Sequence, residues 1–437
     1  MKTFYKGALL LVIAAFIGEC LEFFINMVLA RELGEEGLGL YMSIFPSIIF
    51  IAVLASMELP ISISKFIAEK DKKYHRSMLQ HAVRFVLAFT AIFVVAAVFV
   101  LPQLPIFDRY HPLIQWLVIL LIPMISFSSI ARGYLMGSHE MGKIAFAGFL
   151  RKAVQLALLV VVYQFFQFEQ EVSILISLCT LVASELVMVV YIISVFFTKV
   201  QKLKYTPSAM MSGKKVREHL LAVSVPYTGL RIFHAATFAI KPFLISFALM
   251  RAGLTESLAL IQYGKLAGVA FTIGFFPAFI AHSLLIVLIP TVSEAYAKGD
   301  LPKLQNLLRQ VMLLTLAYGV PSVLIFYFYA EPLTSLFFEA SPAIGYLQIL
   351  VPYFFFHFFV IPMQAYLIGL GLVKEAFFHS VWSTFVSFVL MFVLGSMEQL
   401  QMNGIILGMN TGVVVLTFMH YLTICKKIGV SVTLRPY

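Results

Sequence analysis

Polar residues interrupt this chain at intervals set by a bilayer. Between them run twelve apolar stretches, near residues 7–30, 39–64, 82–102, 113–137, 145–167, 173–197, 219–248, 258–290, 306–329, 345–370, 376–395 and 403–425. Each approaches or exceeds the roughly 20 residues a helix needs to cross a hydrocarbon core. They are too long and continuous for the short alternating segments of an outer-membrane barrel. The pattern predicts an all-α polytopic membrane protein of about twelve transmembrane helices. The 258–290 stretch is too long for one straight crossing, and Gly268, Gly274 and Pro277 predict a bent helix there. Lys2 and Lys6 before the first stretch have the form of a signal peptide. The apolar run continues past Glu19 and Glu22 to Ala30, however, and Glu19 before Cys20 spoils a lipoprotein cleavage box, so an uncleaved first span is expected.

Composition narrows the classes further. The 437 residues are 61% hydrophobic and 12% charged, about half the charged fraction of a soluble domain. Mean hydropathy is +0.96. A cytosolic enzyme, a secreted domain and a disordered chain are excluded. A formal charge of +10 would suggest nucleic acid in a soluble protein, but its distribution says otherwise. With the N-terminus inside, segments on the inner side hold 24 of the 31 Lys and Arg, and the outer loops hold only Arg31, Arg109 and Arg251. Cytoplasmic loops are enriched in Lys and Arg. A cell-membrane protein with both termini cytoplasmic and no nucleic-acid partner is therefore expected. Cys20, Cys179 and Cys425 sit in apolar stretches and show no disulfide or metal pattern.

The chain reads as a duplication. Arg31, Glu35, Glu36 and Tyr41 follow the first stretch; Arg251, Glu256 and Tyr263 follow the seventh. Pro60-Ile-Ser-Ile-Ser ends the second stretch and Pro290-Thr-Val-Ser the eighth; Tyr134-Leu-Met-Gly137 ends the fourth and Tyr366-Leu-Ile-Gly369 the tenth. The offsets of 220, 230 and 232 agree within small insertions. Two six-helix lobes related by a parallel repeat follow, because an even number of crossings returns the chain to the same side. The boundaries expected are 1–197 for the first lobe, 198–218 for a basic cytoplasmic connecting loop, and 219–437 for the second lobe.

The segment Ala30-Arg-Glu-Leu-Gly-Glu-Glu-Gly-Leu-Gly-Leu-Tyr41 resembles the opening signature of polysaccharide-exporter and stage V sporulation protein B-like members of the multidrug/oligosaccharidyl-lipid/polysaccharide (MOP) superfamily. This superfamily includes the lipid II flippase. On physics alone, Gly34, Gly37 and Gly39 read as a tight outer turn between two helices. The resemblance implies twelve or fourteen helices in two lobes around a central cavity lined by spans 1, 2, 7 and 8, with isoprenoid-linked oligosaccharides as substrates. Many sporulation and lipid II-type members have fourteen spans; this chain has room for twelve. A sporulation-linked role follows from the resemblance only.

Charges inside the spans concentrate where that cavity is expected. A mid-bilayer charge costs about 2.5–3.5 kcal/mol on insertion scales, so such residues are few and usually functional. Glu19, Glu22 and Asn26 share a face of span 1, and Glu58 stands beside Pro60 in span 2. Arg231, His234, Thr237 and Lys241 form a stripe on span 7; Gln262 and Lys265 follow on span 8. Arg231, His234, Lys241, Gln262 and Lys265 are the candidate substrate-binding set, since Arg and Lys suit a diphosphate. Glu19, Glu22, Asn26 and Glu58 are the candidate set for coupling to H⁺ or Na⁺. The other reading of both sets is ion pairs between lobes. Arg132 and Glu185 are expected to pair structurally, and Arg151, Lys152 and Glu375 to sit at inner span ends. His282, His357 and His420 read as single core or interfacial histidines, and the Phe-rich runs as packing or lipid-facing surface.

No phosphate loop, soluble catalytic domain or nucleophile–base pair stands out, so an enzyme is not expected, and neither cofactor nor metal is needed. The expected partners are membrane lipid and a lipid-linked oligosaccharide; the protomer is expected to be monomeric, with envelope-synthesis proteins nearby. Three functions stay open: a flippase for polyprenyl-diphosphate-linked precursors, an H⁺- or Na⁺-coupled multidrug antiporter, and a non-transporting scaffold. A stripe of cations favours an anionic substrate over an organic cation.

Overall fold

The computed structural model describes residues 2–203, 209–340 and 343–431. Lys204 and Pro207 of the basic loop, and Arg435, lie outside the described residues. The helices are α1 (Lys2–Ser56), α2 (Leu59–Glu69), α3 (Lys72–Val100), α4 (Leu113–Gly137), α5 (Met141–Phe165), α6 (Gln170–Leu203) and α7 (Gly213–Arg251). They continue with α8 (Glu256–Gly264), a π-helical turn Lys265–Ala270, α9 (Phe271–Phe275), α10 (Ala278–Ala297), α11 (Leu301–Phe328), α12 (Ala330–Ser335) and α13 (Ile344–Ile349). The last three are α14 (Val351–Gly369), α15 (Val373–Gly395) and α16 (Met402–Ile428). No β-strand occurs among the described residues.

Among the described residues, twelve helical segments are long and apolar enough to cross a membrane. The number matches the expectation, but the assembly differs. The first two expected stretches run as one segment, Ile13–Glu69, and the long eighth stretch divides into Glu256–Phe275 and Ala278–Ala297. Backbone chemistry sets these joints. Gly34 alone interrupts α1, with φ 68° and ψ −177°, a conformation that only glycine adopts without strain. Pro60 has no N–H to bond Ser56, and its ring would clash with that carbonyl, so α1 stops one turn earlier. Pro277 ends the α9 segment in the same way and becomes the N-cap of α10. The predicted bend of the eighth stretch is thus present, with the π-helical turn preceding it.

Contacts group the chain into two compact units. One is Ser43–Ile240; the other joins Met1–Met42 to Lys241–Tyr437. This grouping differs from a boundary at 198–218. Its physical origin is visible in the second unit, where the first helix packs on later residues. Phe23 meets Phe276 and Phe337 at ring-centroid distances of 6.1 and 5.3 Å, and Arg31 Nε donates to the Leu336 carbonyl at 3.0 Å.

Each unit keeps one copy of the helix pair that carries the Tyr-x-x-Gly repeat. In the first, α4 lies against α2, and a Cβ on Gly137 would come within 2.6 Å of Ile67. In the second, α14 lies against α10, and a Cβ on Gly369 would come within 2.7 Å of Val292. The two helices also end alike. His139 N–H bonds the Met136 carbonyl and Glu140 N–H the Leu135 carbonyl; Gly371 and Leu372 bond Ile368 and Leu367 in the same pattern, 232 residues later. His139 and Gly371 both take positive φ, 59° and 77°, the αL cap that closes a helix C-terminus.

Candidate functional site

In the Ser43–Ile240 unit, the break between α1 and α2 builds a charged site. Met57 and Glu58 both have φ of 47°. Such a conformation is costly in a residue with a Cβ and persists where the surrounding structure enforces it. It leaves the Glu58 side chain 13% exposed, with Oε1 3.0 Å from Arg231 Nε on α7. Glu58 is therefore an ion-pair partner. His234, one turn beyond Arg231, is exposed, and its carbonyl accepts from Thr237 Oγ1.

A second charged group in this unit joins α4, α5 and α6. Arg132 Nη2 lies 3.4 Å from Glu185 Oε1, as the sequence led us to expect. Arg151 does not sit at a span end. It is the eleventh residue of α5, about 15 Å along the helix, and its Nε lies 3.8 Å from Glu185 Oε2. The sequence missed this because Arg151 follows only eight residues after Lys143, and span ends are blurred by a few residues. Where α4 meets α5, Glu140 pairs with Lys199 and, at 3.3 Å, with Lys143; those two ammonium groups hold its carboxyl below the usual range.

In the other unit, Glu35 and Lys265 pair at 3.2 Å. Their approach depends on small residues. A Cβ on Gly39 would stand 2.2 Å from the Leu260 carbonyl oxygen, and one on Gly264 2.7 Å from the Gly39 nitrogen. Gly37 and Gly39 are helical and buried. Of the three motif glycines only Gly34 makes the turn; Gly39 instead lets two helix backbones touch, as small residues do in membranes. Lys265 opens the π-helical turn, a feature that often marks functional positions. Gln262 Oε1 is buried without a hydrogen-bond partner among the described residues. Glu19, Glu22 and Asn26 lie half-buried on α1.

Lys241 has a different environment. It makes no ion pair among the described residues. His282 on α10 places Nδ1 2.9 Å from the Ala278 carbonyl oxygen. The His357 ring meets Phe275 edge-on at 5.0 Å and stacks on Tyr353 at 5.7 Å. Phe271, Phe275, Tyr353 and Phe354 continue this aromatic wall. The Phe-rich runs therefore pack around His357. The single cationic stripe expected on spans 7 and 8 is divided: Arg231 and His234 belong to the first unit, and Lys241, Gln262 and Lys265 to the second. Sequence reasoning missed two further partners. Glu35 was read only as part of a motif. His379, buried on α15, places Nδ1 3.0 Å from Nδ1 of His420 on α16.

Two family models match this architecture. The model described as "Polysaccharide biosynthesis protein" covers residues 4–296, and MatE covers residues 264–393. The chain is 56% identical to "Sporulation protein YkvU" of Bacillus subtilis (strain 168), over 99% of this chain and 98% of that protein. It is 30% identical to "Stage V sporulation protein B" of the same organism, over 100% of this chain and 86% of that protein. Solved structures share the fold. An inward-facing multidrug resistance MATE family transporter of the MOP superfamily matches with TM-score 0.76 and 16% identity, covering 94% of each chain. A MOP superfamily transporter from Pyrococcus furiosus, described by the "reverse polarity" of its binding pocket, matches with TM-score 0.68 and 17% identity, covering 97% of this chain and 95% of that one. The fold is thus that of the two-lobed, multi-pass MOP membrane transporters. The chain belongs to the polysaccharide biosynthesis protein family, on the stage V sporulation protein B-like branch of that superfamily.

Proposed function

We propose that this transporter is a flippase for a polyprenyl-diphosphate-linked saccharide in the cytoplasmic membrane, working by alternating access with both termini in the cytoplasm. The observation that carries this reading is the set of cations in membrane-spanning helices: Arg231 and Lys265 are each ion-paired, and Lys241 makes no ion pair among the described residues. A diphosphate supplies the missing negative charge, and the aromatic wall suits an isoprenoid chain. Gln262 adds a buried amide acceptor suited to a sugar hydroxyl. In this reading Arg231 and Lys265 are held by Glu58 and Glu35 until the diphosphate competes for them, and Glu19, Glu22 and Asn26 carry a coupling proton or Na⁺. The relatives named as sporulation proteins favour a place in spore-envelope synthesis.

An organic-cation antiporter would present carboxylates where this chain presents Lys241. Native mass spectrometry of the purified protein separates the two. The flippase reading expects saturable binding of a polyprenyl-diphosphate sugar, lost in Arg231→Ala/Lys241→Ala, and no binding of a lipophilic cation. Binding of the cation alone, unchanged or improved by the double variant, would establish the antiporter instead.

A further inference from the structure

We propose that Arg132 and Arg151, bridged by Glu185, form a phosphoryl-binding site inside the Ser43–Ile240 unit. Three helices bring these side chains to one point. Arg132 comes from α4, Arg151 from α5 and Glu185 from α6, with separations of 3.4 and 3.8 Å. The group carries two positive charges and one negative charge. Neither guanidinium makes another ion pair among the described residues. A net cation therefore remains in membrane-spanning helices.

Depth makes that surplus meaningful. Glu185 is the sixteenth residue of the 34-residue α6 and Arg151 the eleventh of the 25-residue α5. At 1.5 Å per residue both lie near the middle of their helices. A net charge there is unfavourable unless it faces water or an opposite charge.

The donors are also under-used. Two guanidiniums offer ten N–H groups. The contacts to Glu185 are long, and the shortest contact of Arg132 Nη2, at 2.9 Å, is to the thioether sulfur of Met188, a weak acceptor. The side chains of Arg132 and Arg151 are 33% and 29% exposed, so protein does not seal them. Planar N–H forks that meet on one carboxylate match the oxygens of a phosphoryl group. Glu185 then serves as an internal counter-ion, occupying the forks in the empty state and competing with the ligand. The ligand class is a phosphate or diphosphate, either free or as a lipid headgroup. Where the headgroup is that of the transported lipid, the site rests on the flippase reading; its first half would then hold phosphate independently of Lys241.

Full-length protein in nanodiscs is titrated with inorganic pyrophosphate and, separately, with a polyprenyl diphosphate, by thermal shift and native mass spectrometry. Expected are at least tenfold weaker pyrophosphate binding in Arg132→Gln and Arg151→Gln, and several-fold tighter binding in Glu185→Gln, where the competitor is gone. A purely structural triad gives no gain in Glu185→Gln. Arg151→Lys keeps the charge but loses the fork; it preserves folding and gives intermediate affinity. Wild-type affinity in both Gln variants, or weakened binding in Glu185→Gln, overturns the proposal. If polyprenyl diphosphate binding needs Lys241 but not Arg151, and pyrophosphate binding is likewise indifferent to Arg151, this site falls and the flippase reading stands. If pyrophosphate binding follows Arg151 and Glu185 while the lipid is not bound, the site stands for a free anion and the flippase reading falls.

Discussion

Gly39→Ala tests the helix contact beneath the Glu35–Lys265 pair. The new Cβ would lie 2.2 Å from the Leu260 carbonyl oxygen and 2.6 Å from its carbon. A comfortable C···O approach is about 3.3 Å or more, so the helices must part by about 1 Å. Both obstacles are backbone atoms, which no rotamer change removes. Overpacking costs about 1–3 kcal/mol, and this site belongs at the upper end, about 2–3 kcal/mol. Gly268→Ala provides the internal comparison. Its Cβ would meet Leu38 Cδ2 at 2.6 Å and Cγ at 2.9 Å, but these are side-chain atoms that can shift where backbone cannot, so about 1 kcal/mol is expected. The assay is equilibrium unfolding in mixed micelles, with Glu35→Gln added as a second site. Parting the helices separates Glu35 from Lys265, so Gly39→Ala and Glu35→Gln should be non-additive. Equal costs for Gly39→Ala and Gly268→Ala, or full additivity with Glu35→Gln, would mean that the Gly39 backbone contact does not hold the pair together.

Other consequences are as direct. Arg231→Gln leaves the largely buried Glu58 carboxylate without its partner and should destabilise more than Glu58→Gln, which leaves an exposed guanidinium; thermal unfolding of both gives the order. Glu140→Gln should lower the melting temperature at pH 7. Because the folded pKa of Glu140 is depressed, its contribution is present above the ordinary carboxylate range and is lost as pH falls through the folded value, so the two melting curves should converge in acid. Lys241→Met removes a cation with no ion-pair partner among the described residues and should raise thermal stability while abolishing diphosphate-lipid binding, the trade-off of a functional charge. A destabilised Lys241→Met would mean that the ammonium holds the fold.

What was legible in the sequence followed from strong physical signals. Twenty apolar residues cross a bilayer whatever their order, so the spans were readable, and Pro277 marked its bend because proline lacks an N–H. The Tyr-x-x-Gly repeat survived because Gly137 and Gly369 each admit a neighbouring helix. Arg132 and Glu185 were paired because two unlike charges in nearby spans have few alternatives. Partners fixed by the rotation and depth of a helix were not legible. Nothing local to Arg151 says that it points at Glu185, and nothing local to Lys265 selects Glu35, 230 residues earlier. Gly39 looked like a turn residue because Gly34 beside it is one. The two halves of the span 7 stripe share a helix face, yet the division between the two units falls between them, after Ile240.

In the proposed cycle an anionic isoprenoid lipid crosses the membrane through this protein. The most direct measurement is leaflet exchange of a fluorescent polyprenyl diphosphate sugar in proteoliposomes, read by quenching from outside. Wild-type protein should expose the inner-leaflet pool, and Lys241→Ala should abolish that exposure while remaining folded. Equal quenching in protein-free and wild-type vesicles, or undiminished exchange in Lys241→Ala, would contradict the account.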